Sequence, residues 1–243
     1  MSGAARTIAG VFLATLLFAG APARAEDRNE FWPELNAYLK VNDRTRLFLQ
    51  AAFTWAEKTP SPSGPTRYED SLYGAHVDYA LTPVLRQHLR EEDWARNRYL
   101  WIRVGYAYTR SNGDAEKTDH FREKRGVFEL NGRTLPLAAD LEFTARLRLD
   151  ARDRNDQDSQ RYRVRLGVER SFDVGGHVVV PYVTAENSYD SRYSTWNRQL
   201  YQSGAEVEIS RSWRIEPYLA LQKDSRSEPS TTRIVGLALK FYR

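Results

Sequence analysis

From Glu142 to Arg152 the chain alternates strictly. Glu142, Thr144, Arg146, Arg148, Asp150 and Arg152 are polar, and Phe143, Ala145, Leu147, Leu149 and Ala151 lie between them. After a polar run the alternation returns, with Arg161, Arg163 and Arg165 against Tyr162, Val164 and Leu166. A period of two marks a pleated strand, whose successive side chains leave opposite faces. A helix needs apolar positions three and four apart, which these runs do not supply. The stretch therefore predicts two strands joined by a polar loop, Asp153 to Ser159.

The same pattern recurs along the chain. It predicts strands over Trp32–Val41, Arg44–Trp55, Ser71–Leu81, Arg98–Arg110, His120–Asn131, Pro136–Arg152, Arg161–Phe172, His177–Ser188, Thr195–Ser210, Trp213–Asp224 and Thr231–Tyr242. Segments of about ten alternating residues are those of an up-and-down barrel, and single-chain bacterial barrels usually hold an even number of antiparallel strands. The expectation is thus 10–12 strands, one segment being misread or missed. Long polar loops are expected at Ser111–Asp119, Asp153–Ser159, Tyr189–Ser194, Ser225–Ser230 and in "TPSPSGPTRYED". Tight turns are expected near Asn131–Leu135, Asp173–Gly176 and Arg211–Ser212, where "NG" and "GG" supply hairpin chemistry. Long loops on one rim and short turns on the other follow the outer-membrane pattern. One stretch departs from it. "TPVLRQHLREEDWARN" opens on Thr82–Pro83 and sets Val84, Leu85, His88 and Leu89 on one helical face. It predicts a short helix at about 83–93 on the periplasmic side.

Alternation does not say which face is inside. A soluble sheet buries its apolar face, whereas a membrane barrel turns it outward to lipid. With the apolar face outward, the inward set is Arg46, Arg103, Glu142, Arg146, Arg148, Asp150, Arg161, Arg163, Arg165, Glu169, Glu186, Arg198, Glu206, Glu208, Arg214 and Glu216. No soluble core holds so many charges, because each unpaired buried charge costs several kcal/mol. Around a lumen they form a charge network. The outward set includes Leu47, Leu49, Phe53, Trp55, Ile102, Val104, Tyr106, Leu147, Val164, Val179, Leu219 and Leu221. Fourteen Tyr and six Trp, many near strand ends, resemble interfacial girdles.

The two ends change the picture further. "MSGAARTIAGVFLATLLFAGAPARAEDRNE" has a positive Arg6, an apolar run from Ile8 to Ala19 and a small-x-small site at Ala23–Ala25. It predicts a signal peptide over residues 1–25, cleaved before Glu26, and one domain over 26–243. The apolar run is too short to span a bilayer. In "RIVGLALKFYR", Val235, Leu237, Leu239 and Phe241 share one face. A final amphipathic strand with a terminal aromatic resembles the signal read by barrel-assembly machinery. Mean hydropathy is −0.64, but barrel strands escape hydropathy windows because half of each is polar.

Candidate chemistry is sparse. Cysteine is absent, which removes disulfides and thiolate sites. No P-loop, GxSxG elbow or HExxH occurs. His76 and Asp78 share one face, and a lumenal serine such as Ser203 would complete a hydrolase triad. The net charge of +4 is spread at strand spacing rather than clustered, which argues against nucleic acid. "DRNDQDSQ" is acidic, but its spacing is not that of a calcium loop. No metal, cofactor or catalytic residue is assigned.

The segments "FWPELNAYLKVNDRTRLFLQA", "VFELNGRTLPLAADLEFTARLRLDAR", "RYRVRLGVERSF", "PYVTAENSYDSRYSTWNRQLYQSGAEV" and "PYLALQKDSRSEPSTTRIVGLAL" resemble the family labelled domain of unknown function 2490. The resemblance runs from Phe31 to Phe241. It implies an exported outer-membrane β-barrel and supplies no mechanism. The combined expectation is a cell outer membrane barrel, structural or porin-like, with a narrow Arg/Glu-lined lumen. Its expected partners are outer-membrane lipid, lipopolysaccharide and the assembly machinery. The alternatives are an outer-membrane lipid hydrolase and a soluble periplasmic carrier.

Overall fold

The computed structural model describes residues 27–57, 66–81, 99–111, 121–134, 141–226 and 230–243. The strands are β1 (Asp27–Lys40), β2 (Thr45–Glu57), β3 (Thr66–Ala80), β4 (Leu100–Ser111), β5 (Arg122–Arg133), β6 (Leu141–Arg154), β7 (Gln157–Arg170), the short β8 (Phe172–Val174), β9 (His177–Asp190), β10 (Thr195–Glu208), β11 (Trp213–Asp224) and β12 (Thr231–Tyr242). β8 pairs only with β9. The other eleven pair in chain order and close on themselves through β1 and β12. Each of the eleven predicted segments overlaps one long strand.

Two expectations of closure are corrected. The strand number, eleven, lies within the expected 10–12 but is odd, and the pairing is not antiparallel throughout. Hairpin-linked neighbours alternate in direction, so an odd ring must contain one parallel contact. That contact is the β1–β12 seam, which pairs Asp27 with Thr231 through Tyr38 with Tyr242. Arg243 extends it: its amide donates to the Tyr38 carbonyl at 2.9 Å, and its carbonyl accepts from the Lys40 amide at 2.5 Å.

Two turn expectations are also corrected. Asp153–Ser159 is not a loop. β6 and β7 meet in a two-residue turn at Asn155 and Asp156, with φ of 53° and 63°, the left-handed pair that a type I′ hairpin requires. Asn131–Gly132 is not a turn but part of β5, where Gly132 lies opposite Leu100 and Ala145. Gly175–Gly176 is the turn after β8, with φ of 63° and 83°. A two-residue turn on the rim assigned long loops breaks the long-and-short rhythm. The signal peptide, the helix at about 83–93, and the loop residues 58–65 and 112–120 lie outside the described residues.

The two faces of the wall differ sharply. Leu35, Tyr73, Val104, Leu147, Leu166, Val183 and Val235 stand on the outer surface, each at least half exposed. Arg46, Asp78, Glu129, Asp150, Arg152, Glu186 and Asp190 are buried inside. A small apolar cluster of Leu200, Tyr218 and Ile234, flanked by Trp32, Tyr182 and Ala220, packs within the lumen on the β9–β12 and β1 side.

Candidate functional site

The lumen is built by cross-strand neighbours. Following the hydrogen-bonded register from β2 to β7 gives Arg46, Asp78, Arg103, Glu129, Arg148 and Arg163, each directly opposite the next. The sign alternates along the first five. Opposite charges directly across a ladder attract and like charges repel, so this one row selects its own register. Asp78 accepts from Arg46 Nε at 2.5 Å and from Arg103 Nε at 2.6 Å. Glu129 accepts from Arg148 at 2.9 Å.

The row breaks at Arg148 and Arg163, where two arginines face each other, and Arg146 likewise faces Arg165. Flanking strands supply the missing charge. Glu186 on β9 lies 2.5 Å from Arg146, 2.6 Å from Arg163 and 2.9 Å from Arg165. Asp150 accepts from Arg148 at 2.6 Å. Arg161 and Arg152 share Asp190, at 2.8 and 2.7 Å, and Arg152 also reaches Glu123 at 2.6 Å. Glu142 and Glu169, another like-charged pair across β6 and β7, are bridged by Arg133 at 3.4 and 3.0 Å. Elsewhere Arg198 pairs with Asp224 at 2.8 Å. Arg214 pairs with Glu206 at 2.7 Å and with Glu208 at 3.7 Å. Lys240 binds Glu206 at 2.7 Å and also Glu216. All sixteen residues assigned to the inward set therefore meet an opposite charge.

Of the seven acids in the inward set, five do not serve the β6–β7 arginines, Glu216 turning to Lys240. Glu142 and Glu169 turn to Arg133, and Glu206 and Glu208 to Arg214. Glu123, Glu129 and Asp190, which were not assigned, serve those arginines instead. The signal was present in the sequence, since Glu123, Arg125, Glu129 and Arg133 share one parity of β5.

A second unassigned feature is an aromatic row across the seam. Tyr242, Tyr38, Phe48 and His76 are successive cross-strand neighbours. Their ring centroids are separated by 4.7, 4.7 and 5.4 Å. Arg103 caps Phe48 at 3.9 Å and Arg46 caps Tyr38 at 4.6 Å. A Cβ at Gly105 would run into the His76 ring, so glycine is needed where the row ends. His76 thus stacks on Phe48, and Asp78 clamps two arginines. Ser203 follows the inward Gln202, which donates to Tyr182, and so faces outward. The three candidate triad residues are not brought together.

"DRNDQDSQ" is occupied by the β6–β7 turn, in which Asp153 Oδ1 accepts from the Asp156 amide at 3.0 Å. Val235, Leu237, Leu239 and Phe241 take alternate positions on β12. The lining divides the lumen into a cavity of about 610 Å³ and one of about 230 Å³. Tyr38, Glu216 and Lys240 border both and form the partition. Eleven Arg or Lys side chains and seven carboxylates line the larger cavity among the described residues. No protein-family model and no curated protein sequence matches this chain.

Proposed function

We propose that the protein is an outer-membrane β-barrel whose lumen is a narrow, partitioned, charge-lined passage for small polar solutes. The observation that carries this reading is the inverted polarity of the wall: large apolar side chains cover the outside while ion pairs fill the inside. In water that exterior would be an unusually large apolar patch, whereas in lipid it is the ordinary surface of a barrel. Trp55 with Tyr68, and Tyr189 with Trp196, cluster near one rim, and Trp213 with Phe241 near the other. Two such belts suit two interfaces. Among the described residues no helix is long and apolar enough to cross a membrane, so crossing falls to strands.

In this reading the lumen performs no catalytic step. The outward row of Val235, Leu237, Leu239 and Phe241 addresses lipid and the assembly machinery. The partition of Tyr38, Glu216 and Lys240 keeps conductance small, because long side chains fill barrels only slightly wider than eight strands. The test is fractionation with heat-modifiable gel migration, followed by planar-bilayer recording. Expected are detergent-dependent extraction from outer membranes and a small but measurable conductance. A soluble periplasmic monomer would overturn the membrane reading, and a wide cation-selective pore the narrow one.

A further inference from the structure

The larger cavity has two walls of opposite sign. On β5, β6 and β9 the carboxylates of Glu129, Asp150 and Glu186 are at most 2% exposed, while Arg148, Arg163 and Arg165 over them are 14–25% exposed. A carboxylate on one or two methylenes stays against the wall, whereas a guanidinium on three leans into the lumen. This wall therefore shows the solvent its cations and hides its anions. Glu186 alone serves three arginines.

The opposite wall shows carboxylates. Glu34 on β1 accepts from Tyr218 Oη at 2.8 Å, Gln50 Nε2 at 3.2 Å and Asn36 Nδ2 at 3.4 Å, all neutral donors. Asp70 on β3 is hydrogen-bonded by Thr54. Among the described residues neither has an Arg or Lys within ion-pair distance. Four strands separate β1 from β6 on one side of the ring, and four separate it from β7 on the other.

The two walls also meet at one level. The register row from Glu34 climbs through Ala52, Leu72, Thr109 and Glu123 to Arg154, at one end of β6. In the other direction it passes Ala238 and Glu216 and falls to Val180, near the opposite rim. The level of Glu34 on the far wall lies between these ends, at Arg148 on β6 and at Arg163 and Arg165 on β7.

We propose that this cavity binds a small zwitterion, a solute with a carboxylate at one end and an ammonium group at the other, set between Arg163 and Arg165 on one wall and Glu34 on the other. The inference rests on the lumen reading above and names its solute class. A simple anion meets one attractive and one repulsive wall, whereas a zwitterion satisfies both. The volume of about 610 Å³ falls within the range of roughly 300–1,000 Å³ usual for small-molecule sites.

Isothermal titration calorimetry on the full folded chain in detergent tests this. The solutes are ω-amino acids from glycine to 6-aminohexanoate, with butyrate and butylammonium as single-charge controls. At least one amino acid should bind about tenfold or more tightly than either control. Arg165→Gln should weaken both the amino acid and butyrate, and Glu34→Gln the amino acid alone. Butyrate binding as tightly as the best amino acid would make this a plain anion site and overturn the proposal, and so would butylammonium doing so. Absence of binding by every solute would also overturn it, and the wild-type series needs no variant to fold. Insertion into vesicles without binding sinks this inference and leaves the membrane reading standing. Binding without insertion does the reverse.

Discussion

The wall from β2 to β9 and the wall around the seam fill the same lumen by different means. The first is ionic: Asp78, Glu129, Asp150 and Asp190 are among its most deeply buried side chains, each held by arginines. The second adds apolar and aromatic packing to its few ion pairs at Lys240 and Arg214. Tyr242, Tyr38 and Phe48 stack across the seam, and Tyr218 lies over Gly236, where a Cβ would collide with its ring. Parallel pairing is slightly weaker per residue than antiparallel pairing. The side with the weaker backbone contact thus has the packing that tolerates small errors of geometry. The ionic wall tolerates fewer, because desolvated charges are compensated only when every partner is in place. The two walls should therefore respond differently to deletion.

The largest effect belongs to Asp78, which is fully buried between two arginines. Asp78→Ala leaves both guanidinium groups without their shared anion. Removing one partner of a buried pair costs about 3–5 kcal/mol, expected as a lower urea midpoint for the protein folded in vesicles. Unchanged stability would mean that water already neutralises this row and would erase the contrast between the walls. Next is the contrast between faces. Leu147 is 51% exposed and its neighbour Arg146 points inward. Leu147→Arg should impair insertion by about 2–4 kcal/mol near the bilayer midplane, while Arg146→Lys assembles. The opposite pair of results would reverse every face, since a register slip of one residue swaps them all.

Much of this contrast is legible in the chain, because a period of two is a local property. All eleven long strands and their two faces follow from alternation alone. Closure is not local, and nothing in the pattern of β1 or β12 announces that the two run parallel. The Asn155–Asp156 turn is hidden because Asp153 and Arg154 are polar on both faces, so the strand ends resemble a loop. Asn131–Gly132 has the chemistry of a hairpin, but pairing with β4 and β6 overrides it. The partners of the arginines were obscured by strand stagger, which brings Asp190 to Arg152 across an intervening strand. Tyr38 and Phe48 carry no charge, so the Arg/Glu pattern does not mark them, although Phe48 shares the parity of Arg46.

The seam wall should lose less. Tyr38 stacks on Phe48 and on Tyr242, and each aromatic contact is worth about 0.5–1.5 kcal/mol beyond its area. Tyr38→Leu keeps an apolar body of similar reach and gives up both stackings. Its midpoint should fall by about 1–3 kcal/mol, less than that of Asp78→Ala. A larger fall would show that the aromatic row, rather than the ion-pair row, governs closure.

The smallest effect should come from a pair that is ionic but not buried. Lys124 and Asp153 lie 3.5 Å apart on β5 and β6, with side chains 60% and 31% exposed. They satisfy the same cross-strand rule as Arg148 and Glu129, being directly opposite in register. What differs is water. Exposed pairs are screened by solvent and salt and contribute about 0–1 kcal/mol. Lys124→Ala should therefore leave the urea midpoint within about 1 kcal/mol of wild type, and the small loss should vanish in high salt. Asp78→Ala should keep most of its loss there, because its partners are sealed from the solution. Were the two variants to show the same salt dependence, desolvation could not be the source of the difference between the walls, and the brittleness assigned to the ionic side would have to come from packing.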